Sequence, residues 1–234
     1  MNYNRLGIIG GMGPEATADF YSRIIKHTSA TKDQDHLDMI IFNHASIIDR
    51  TYALKSGREQ ELLNSLHEDL KMMEQLKVTN IAIPCNTCHT LYKDIQKLTT
   101  IPIINMIEET VKYIVENQKS YKKIGLMATD GTILSGMYQD WFDKYHLSIH
   151  APQKDAQAQI MDIIYNDVKS NGIHDNEKFQ KVLTYFLQNG CTHVILGCTE
   201  LSGFKEKFKA YAIDPMDYLV KASIERTCGI YKED

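Results

Sequence analysis

The stretch Asn80-Ile-Ala-Ile-Pro-Cys-Asn-Thr-Cys-His89 decides the predicted fold, because it has a near copy at Thr192-His-Val-Ile-Leu-Gly-Cys-Thr-Glu200. In each copy a short apolar run bounded by turn signals is typical of a buried parallel strand. The runs end on Cys85 and Cys198, and small polar residues with a fresh helical pattern follow each cysteine. Roughly half of the 234-residue chain separates the two cysteines, which indicates an internal duplication with one cysteine in each half.

A second similarity supports the duplication, since Leu6-Gly-Ile-Ile9 is close to Ile124-Gly-Leu-Met127. Strands alternate with helices along the chain, which favours parallel sheets. We therefore predict an α/β protein with two similar doubly wound parallel-sheet domains, related by pseudo-two-fold symmetry, and an active site in the cleft between them. The first domain is expected to span 1–105 plus a returning C-terminal helix in 214–234, and the second to span 106–213.

Four local predictions concern the surroundings of the cysteines. The pattern predicts the following segments: a loop carrying Arg50, a helix over 90–98, a short strand over 101–105 and a helix over 157–169. The helices that follow Cys85 and Cys198 are expected to point their N-termini at the thiols.

Composition limits the classes of partner. The chain is 43 % hydrophobic and 24 % charged with a net charge of −4, and its basic residues are scattered among acidic ones. This balance does not favour nucleic acid or an anionic membrane. The absence of a secretory leader and of a long apolar run indicates a cytoplasmic protein. Five cysteines are then expected to be reduced thiols.

The first glycine turn resembles a dinucleotide-binding motif. Gly11-Met-Gly-Pro-Glu-Ala16 has the spacing G-x-G-x-x-[GA] between a strand and a helix. A ribose-binding acidic residue should end the second strand, but that position reads Asn43-His44. The remaining interpretation is a tight turn whose amides face a ligand at a helix N-terminus, which needs no nucleotide.

The sequence Cys85-Asn-Thr-Cys88-His89 allows several kinds of chemistry. It matches the C-x-x-C-H pattern of c-type haem attachment, although that attachment belongs to exported proteins. A zinc site would need a second pair of ligands, for which Cys191 and His193 are available, and a redox dithiol is a further alternative. Cys191 and Cys228 are interpreted as small buried hydrophobes.

Two cysteines that face one cleft from opposite halves allow a particular reaction. Inversion of a carbon that bears a hydrogen requires a base on one face and an acid on the other, and a thiolate with an opposing thiol supplies both. An ordinary thiol has a pKa of about 8.5, which a helix N-terminus lowers. No pyridoxal site is apparent, so the carbanion would be stabilised by backbone amides and by the polar side chains of Asn86, Thr87, Thr129 and Thr199.

Four motifs together resemble the cofactor-independent aspartate/glutamate racemase family, in its aspartate racemase branch. They are Gly10-Gly-Met-Gly-Pro-Glu-Ala-Thr17, Asp49-Arg-Thr51, Pro84-Cys-Asn-Thr-Cys-His89 and Gly197-Cys-Thr-Glu200. The resemblance covers the whole chain. Glutamate racemases of cell-wall synthesis typically continue the second motif as Gly-Cys-Thr-His, so Glu200 differs from them.

The resemblance implies a cofactor-independent racemase that interconverts L- and D-aspartate. Because its relatives are dimeric, a homodimer is expected. It implies Cys85 and Cys198 as the two catalytic bases and Arg50 as the cation that binds a substrate carboxylate. Further substrate contacts are expected at Met12, Asn86, Thr87, Cys88, Thr129, Lys169, Thr199 and Glu200. No metal site is implied.

Some assignments have alternatives at this stage. Relatives usually have proline two places before this arginine, where this chain has Ile48. The alternative interpretation of Arg50 is a surface charge. The alternative interpretation of Lys169 is an ordinary lysine at the end of a surface helix, and that of Glu200 is a charge that stabilises a helix N-terminus. Two rival functions are a broad-specificity or glutamate racemase of the same fold and a non-catalytic amino-acid-binding protein. Fold alone does not decide among them.

Overall fold

The structure is a computed structural model that describes residues 4–117, 121 and 123–233. The chain divides into two compact units, Met1–Met106 with Met216–Asp234, and Ile107–Pro215. None of the helices in the described part of the chain combines the length and the apolar character that a bilayer crossing requires.

The first unit contains a three-stranded parallel sheet in the order β2-β1-β3. Its elements are β1 (Arg5–Gly10), α1 (Pro14–His27), β2 (Asp38–Asn43), α2 (Arg50–Ser56), α3 (Glu59–Gln75), β3 (Asn80–Ala82) and α4 (Tyr92–Gln96), with 3₁₀ turns at Asp33–Asp35 and Thr87–Leu91. The strand predicted over 101–105 is reduced to one parallel bridge between Ile103 and Ile81. Pro102 has no amide hydrogen to extend the ladder, which accounts for the short pairing.

The second unit contains a four-stranded parallel sheet in the order β5-β4-β6-β7. The elements that follow α4 are α5 (Met106–Glu116), β4 (Ile124–Ala128), α6 (Asp130–Ser135), α7 (Met137–Lys144), β5 (Ile149–His150), α8 (Lys154–Asp162), α9 (Asn176–Gln188), β6 (His193–Gly197), α10 (Lys205–Phe208), β7 (Ala212–Ile213) and α11 (Pro215–Arg226). A π-helix at Ile163–Lys169 continues α8, and a 3₁₀ turn at Thr199–Phe204 precedes α10.

The two sheets have the same strand order once the bridging segment at Ile103 is placed in the position of β7. Parallel strands alternate with helices in both units. The predicted α/β class with two similar parallel-sheet units is therefore confirmed.

The core of the first unit follows the two-residue period of its strands. Ile9, Ile81 and Ile83 lie in one apolar cluster with the buried face of α3, whereas Leu6, Ile8 and Ala82 lie in another with α1 and α11. Alternate side chains of a strand point to opposite faces of the sheet, so helices cover both faces. This double cover is why the strands are continuous apolar runs.

Two predicted helices differ from the structure near the cysteines. The helix predicted over 90–98 begins as the 3₁₀ turn Thr87–Leu91 and only then becomes α4, and Cys198 is likewise followed by a 3₁₀ turn. Such turns are frequent at helix N-termini. The helix predicted over 157–169 begins earlier, at Lys154, and changes into the π-helix for its last seven residues.

Candidate active site

Cys85 lies just beyond the carboxyl end of β3. Its amide donates to the carbonyl of Ile83 at 2.8 Å, which turns the chain sharply after the strand. The cysteine is only 5 % exposed. Asn86, Thr87 and Cys88, which follow it through the 3₁₀ turn, are also buried.

His89 holds this turn from within. Its Nδ1 lies 2.9 Å from the carbonyl oxygen of Cys85, and its Nε2 accepts a hydrogen bond of 3.2 Å from the amide of Met106. The ring stacks on Tyr92. Burial lowers the pKa of His89, so the imidazole is favoured in its neutral form. The last residue of the C-x-x-C-H motif therefore makes protein contacts through both ring nitrogens.

Arg50 and Met12 belong to the surroundings of the same turn. Met12, Cys85 and Cys88 lie in one apolar cluster. Burial raises the pKa of the Cys88 thiol, the charges of Cys85 and Asp69 raise it further, and the positive charge of Arg50 opposes them. The guanidinium of Arg50 therefore lies within electrostatic range of the Cys88 thiol.

The sequence analysis predicts a loop at Arg50, and that prediction is wrong. Arg50 is the first residue of α2. Asp49 caps that helix by accepting a 2.9 Å hydrogen bond from the amide of Tyr52. Arg50 is 7 % exposed, and it donates to the carbonyl of Ile48. An arginine this deeply buried is not a solvated surface charge, and its planar fork suits a carboxylate.

A buried carboxylate missed by the sequence analysis lies in this unit. Asp69 is 1 % exposed, and both of its oxygens approach Nδ1 of His44, at 2.9 and 3.1 Å. Burial raises the pKa of Asp69, and the hydrogen bond from His44 opposes the shift. Asp69 lies with Leu66 and Leu70 on the apolar face of α3. A charged residue on that face is the sequence signal that could have identified Asp69 as a buried carboxylate.

The glycine turn after β1 is required by close packing. Gly11 has φ of +88°, and a Cβ there would lie 2.4 Å from the carbonyl carbon of His44. The hydroxyl of Thr17 accepts from the Gly11 amide at 2.9 Å and donates to the Gly13 carbonyl at 3.0 Å. The turn thus has structural reasons for its glycines that do not involve a nucleotide.

Cys198 lies at the corresponding place in the second unit. It follows the last residue of β6, Gly197, which pairs with Ala128 of β4. Thr129 follows Ala128, so the sheet places Thr129 and Cys198 at the ends of adjacent strands. Thr129 caps α6 by accepting a hydrogen bond of 3.3 Å from the amide of Thr132. Cys198 and Thr129 are both buried.

The side chain of Cys198 contacts an acidic residue. Its Sγ donates to Oε2 of Glu200 at 2.7 Å, and the hydroxyl of Thr199 donates to the same oxygen at 3.4 Å. The other oxygen of Glu200 lies 3.6 Å from Nζ of Lys169. The structure therefore joins Lys169, Glu200 and Cys198 into one chain of polar contacts.

The π-helix positions Lys169. It buries Ile163, Ile164 and Val168 and ends on Lys169, whose ammonium also lies 4.3 Å from the ring centre of Tyr165. π-Helical turns are rare and occur frequently at functional sites. Lys169 is 23 % exposed in its side chain, and Glu200 is 9 % exposed.

Tyr138, on α7, is a second residue that the sequence analysis missed. It is buried, and burial raises its pKa well above the ordinary value, with the charges of Asp214 and Cys198 adding to the shift. The phenol therefore lies within electrostatic range of the thiol and stays protonated. The sequence around Tyr138 in α7 contains no signal that would distinguish this residue from an ordinary core tyrosine.

Within residues 4–117, 121 and 123–233, no group of three or more His, Cys, Asp and Glu side chains has the arrangement of a metal site. All five cysteines are free thiols. Cys191 is buried as predicted, but Cys228 is exposed, so its prediction as a small buried hydrophobe is wrong.

Comparison with protein families gives a match over most of the chain. A family model described as Asp/Glu/hydantoin racemase matches residues 9–223. Among curated proteins, the broad-specificity amino-acid racemase RacX of Bacillus subtilis is 25 % identical over 226 residues, which cover 94 % of this chain and 96 % of RacX.

Solved structures agree with this match. Picrophilus torridus aspartate racemase is 27 % identical and superposes with a TM-score of 0.86, covering 98 % of this chain and 96 % of its own. The glutamate racemase of Francisella tularensis, in complex with D-glutamate, is 19 % identical with a TM-score of 0.65, covering 94 % of this chain and 80 % of its own. At that identity the second likeness concerns the fold alone.

Proposed function

Because the chain belongs to the Asp/Glu/hydantoin racemase family and is an amino-acid racemase, we propose that it interconverts L- and D-aspartate without a cofactor, with Cys85 and Cys198 as the two bases. The observation that carries this proposal is the equivalent placement of the two thiols. Each is buried and follows the strand that pairs with the first strand of its own unit.

The proposed reaction needs only a proton at each step. One cysteine, as thiolate, removes the α-proton of one enantiomer and becomes a thiol. The other cysteine, as thiol, donates its proton to the opposite face of the carbanion and becomes a thiolate. The product is the mirror image of the substrate, and proton exchange with solvent restores the starting state of both sulfurs.

The contacts of Cys198 suit the donor in this scheme. A sulfur 2.7 Å from the Glu200 carboxylate holds its proton in a hydrogen bond to that group. Glu200 is in turn held near Lys169.

Arg50 is the best candidate for binding the substrate carboxylate. It is a buried guanidinium in the surroundings of the Cys85 turn, where a fork of donors matches a carboxylate bidentately. Lys169 is a weaker candidate, because Glu200 already compensates part of its charge. A dicarboxylic substrate is favoured by the presence of both cations and by the likeness to an aspartate racemase.

A broad-specificity racemase is the second candidate function. Its specific support is the match to RacX, which extends over nearly the whole of both chains. Neutralisation of Lys169 by Glu200 also agrees with a site that accepts uncharged side chains.

A racemisation screen separates these candidates. The purified protein is incubated with each common amino acid, and both enantiomers are measured by chiral chromatography. Aspartate turnover far above all others supports the proposal, and comparable turnover of several neutral amino acids supports the second candidate. Lack of racemisation with every amino acid contradicts both.

A further inference from the structure

His89 is a buried titratable residue that the proposed proton transfers do not use. It is 5 % exposed, and it lies four residues after Cys85 on the 3₁₀ turn. Its contacts reach in two directions, to the carbonyl of Cys85 and to the backbone at the start of α5. A side chain that makes both contacts ties the Cys85 turn to a segment far along the chain.

The partners of His89 define its tautomer. A backbone amide only donates, so Nε2 must accept the hydrogen bond from Met106. A backbone carbonyl only accepts, so Nδ1 must carry the proton and donate to Cys85. Nε2 also lies 3.3 Å from the carbonyl oxygen of Ile104, the longest of the three contacts. The tautomer with hydrogen on Nδ1 satisfies the contacts with Cys85 and Met106, whereas the tautomer with hydrogen on Nε2 would satisfy only that with Ile104. Burial of the ring opposes the doubly protonated form.

We propose that His89 is a positioning residue for Cys85, in which the Nδ1–H bond to the Cys85 carbonyl fixes the orientation of the cysteine backbone and hence of its thiol. The proposal rests on the role proposed above for Cys85. His89 is too deeply engaged with the backbone to exchange protons with a substrate itself, so it acts through the cysteine.

The backbone of Cys85 is held at two points. Its amide is bonded to Ile83, and its carbonyl is bonded to His89. With the second bond removed, the peptide group that follows Cys85 loses its side-chain anchor. A reorientation of that peptide group shifts Cα of Cys85 and with it the Cα–Cβ direction. Displacement of a catalytic group by about 1 Å costs on the order of 100-fold in rate.

Two substitutions separate the two contacts of His89. In His89→Asn the side-chain amide nitrogen occupies about the place of Nδ1 and keeps the donor to Cys85, but the acceptor for Met106 is lost. In His89→Gln the longer side chain reaches the place of Nε2 and keeps the acceptor for Met106, but the donor to Cys85 is lost. Circular dichroism and thermal melting of both variants report whether each remains folded.

The first readout is turnover in each direction. We expect His89→Gln to lower kcat by about 10- to 100-fold and His89→Asn to stay within about threefold of the parent protein. With α-deuterated L- and D-substrates, the deuterium isotope effect of His89→Gln should rise in the direction in which Cys85 abstracts the proton and fall in the other. Uniform loosening of the fold would change both directions alike.

The second readout does not depend on turnover. The rates at which iodoacetamide alkylates Cys85 and Cys198 are measured in the same sample by peptide mass spectrometry. His89→Gln should change the Cys85 rate several-fold more than His89→Asn does, while Cys198 serves as the internal reference.

Equal kcat and equal Cys85 alkylation in the parent protein and His89→Gln would contradict the positioning role. A larger defect in His89→Asn than in His89→Gln would also contradict it, because the Met106 contact would then matter more. If the parent protein racemises no amino acid, the proposed function fails, and the alkylation rates still decide whether His89 positions Cys85.

Discussion

Cys85 and Cys198 follow equivalent strands, but their surroundings hold them by different groups. Cys198 is held through its sulfur, which donates to Glu200 at 2.7 Å, and its carbonyl accepts a hydrogen bond from the backbone amide of Leu201. Cys85 is held through its backbone, by Ile83 on the amide and by His89 on the carbonyl. The strand order of the two units is therefore preserved more closely than the chemistry of the turns that follow β3 and β6.

The difference teaches which part of each turn controls its thiol. Around Cys198 a carboxylate and an ammonium, those of Glu200 and Lys169, set the local charge. In the Cys85 turn, the charges of Arg50 and Asp69 act in opposite directions on the Cys88 thiol, and the buried imidazole of His89 is hydrogen-bonded to the Cys85 carbonyl. Substitutions that act on one turn alone test this contrast.

The largest expected effect comes from the sulfurs themselves. Cys85→Ser and Cys198→Ser should each lower racemisation by about 10²- to 10⁴-fold, because a serine hydroxyl is a far weaker proton donor and base. Cys228→Ser is the matched control, since Cys228 is exposed. Initial rates with each enantiomer measure the loss, and near-normal turnover by either of the first two variants would remove that cysteine from the mechanism.

A smaller effect is expected at the cation near Cys85. Arg50→Lys should raise KM for a dicarboxylic amino acid by about 10- to 100-fold, because lysine keeps the charge but loses the bidentate fork. Arg58→Lys, at an exposed arginine, is the control. An unchanged KM in Arg50→Lys would show that another group binds the carboxylate.

Glu200→Gln tests whether the charge next to Cys198 acts on that cysteine alone. The amide keeps the shape of the side chain but removes a negative charge that opposes formation of the Cys198 thiolate. Alkylation of Cys198 by iodoacetamide near pH 7 should become about tenfold faster, while that of Cys85 stays the same. Equal changes at both cysteines would mean that Glu200 does not act selectively on its own turn.

The smallest effect concerns stability and pH. Burial lowers the pKa of His89 below its ordinary value of 6.5, so the unfolded chain binds a proton that the folded chain does not. The free energy of unfolding should therefore fall as the pH drops below about 6.5. In His89→Asn this fall should be smaller by about 1 kcal/mol or more, measured by urea unfolding near pH 7.5 and 5.5.

Two other histidines bear on that measurement. Burial also lowers the pKa of His150 and of His193, so part of the pH dependence should remain in His89→Asn. His146→Asn, at an exposed histidine, is the control. An identical pH dependence in His89→Asn and the parent protein would contradict a neutral, buried His89.

The sequence predicts the parallel strands well because their signal is local. Ile81-Ala-Ile83 and Val194-Ile-Leu196 are short apolar runs followed by the turn residues Pro84 and Gly197, and the strands β3 and β6 that precede the cysteines form there. The α/β class follows from the alternation of such runs with helical patterns. The roles of the predicted site residues remain proposals.

The parts that the sequence did not predict depend on distant partners. The histidine of the C-x-x-C-H motif contacts Met106, which lies 17 residues further along the chain. Asp69 is bonded to His44, 25 residues away. The π-helix before Lys169 differs from an α-helix only in hydrogen-bond register, which depends on packing against neighbours more than on composition.

The most direct test of the two-cysteine account is the fate of the α-hydrogen in D₂O. L-Aspartate is incubated briefly with the protein, and mass spectrometry measures deuterium in each enantiomer before equilibrium is approached; the experiment is repeated from D-aspartate. If separate cysteines remove and donate the proton, the newly formed enantiomer should carry solvent deuterium while the remaining substrate stays unlabelled. Early deuterium in the remaining substrate at a level comparable with the product would indicate one base acting on both faces, and would contradict the account.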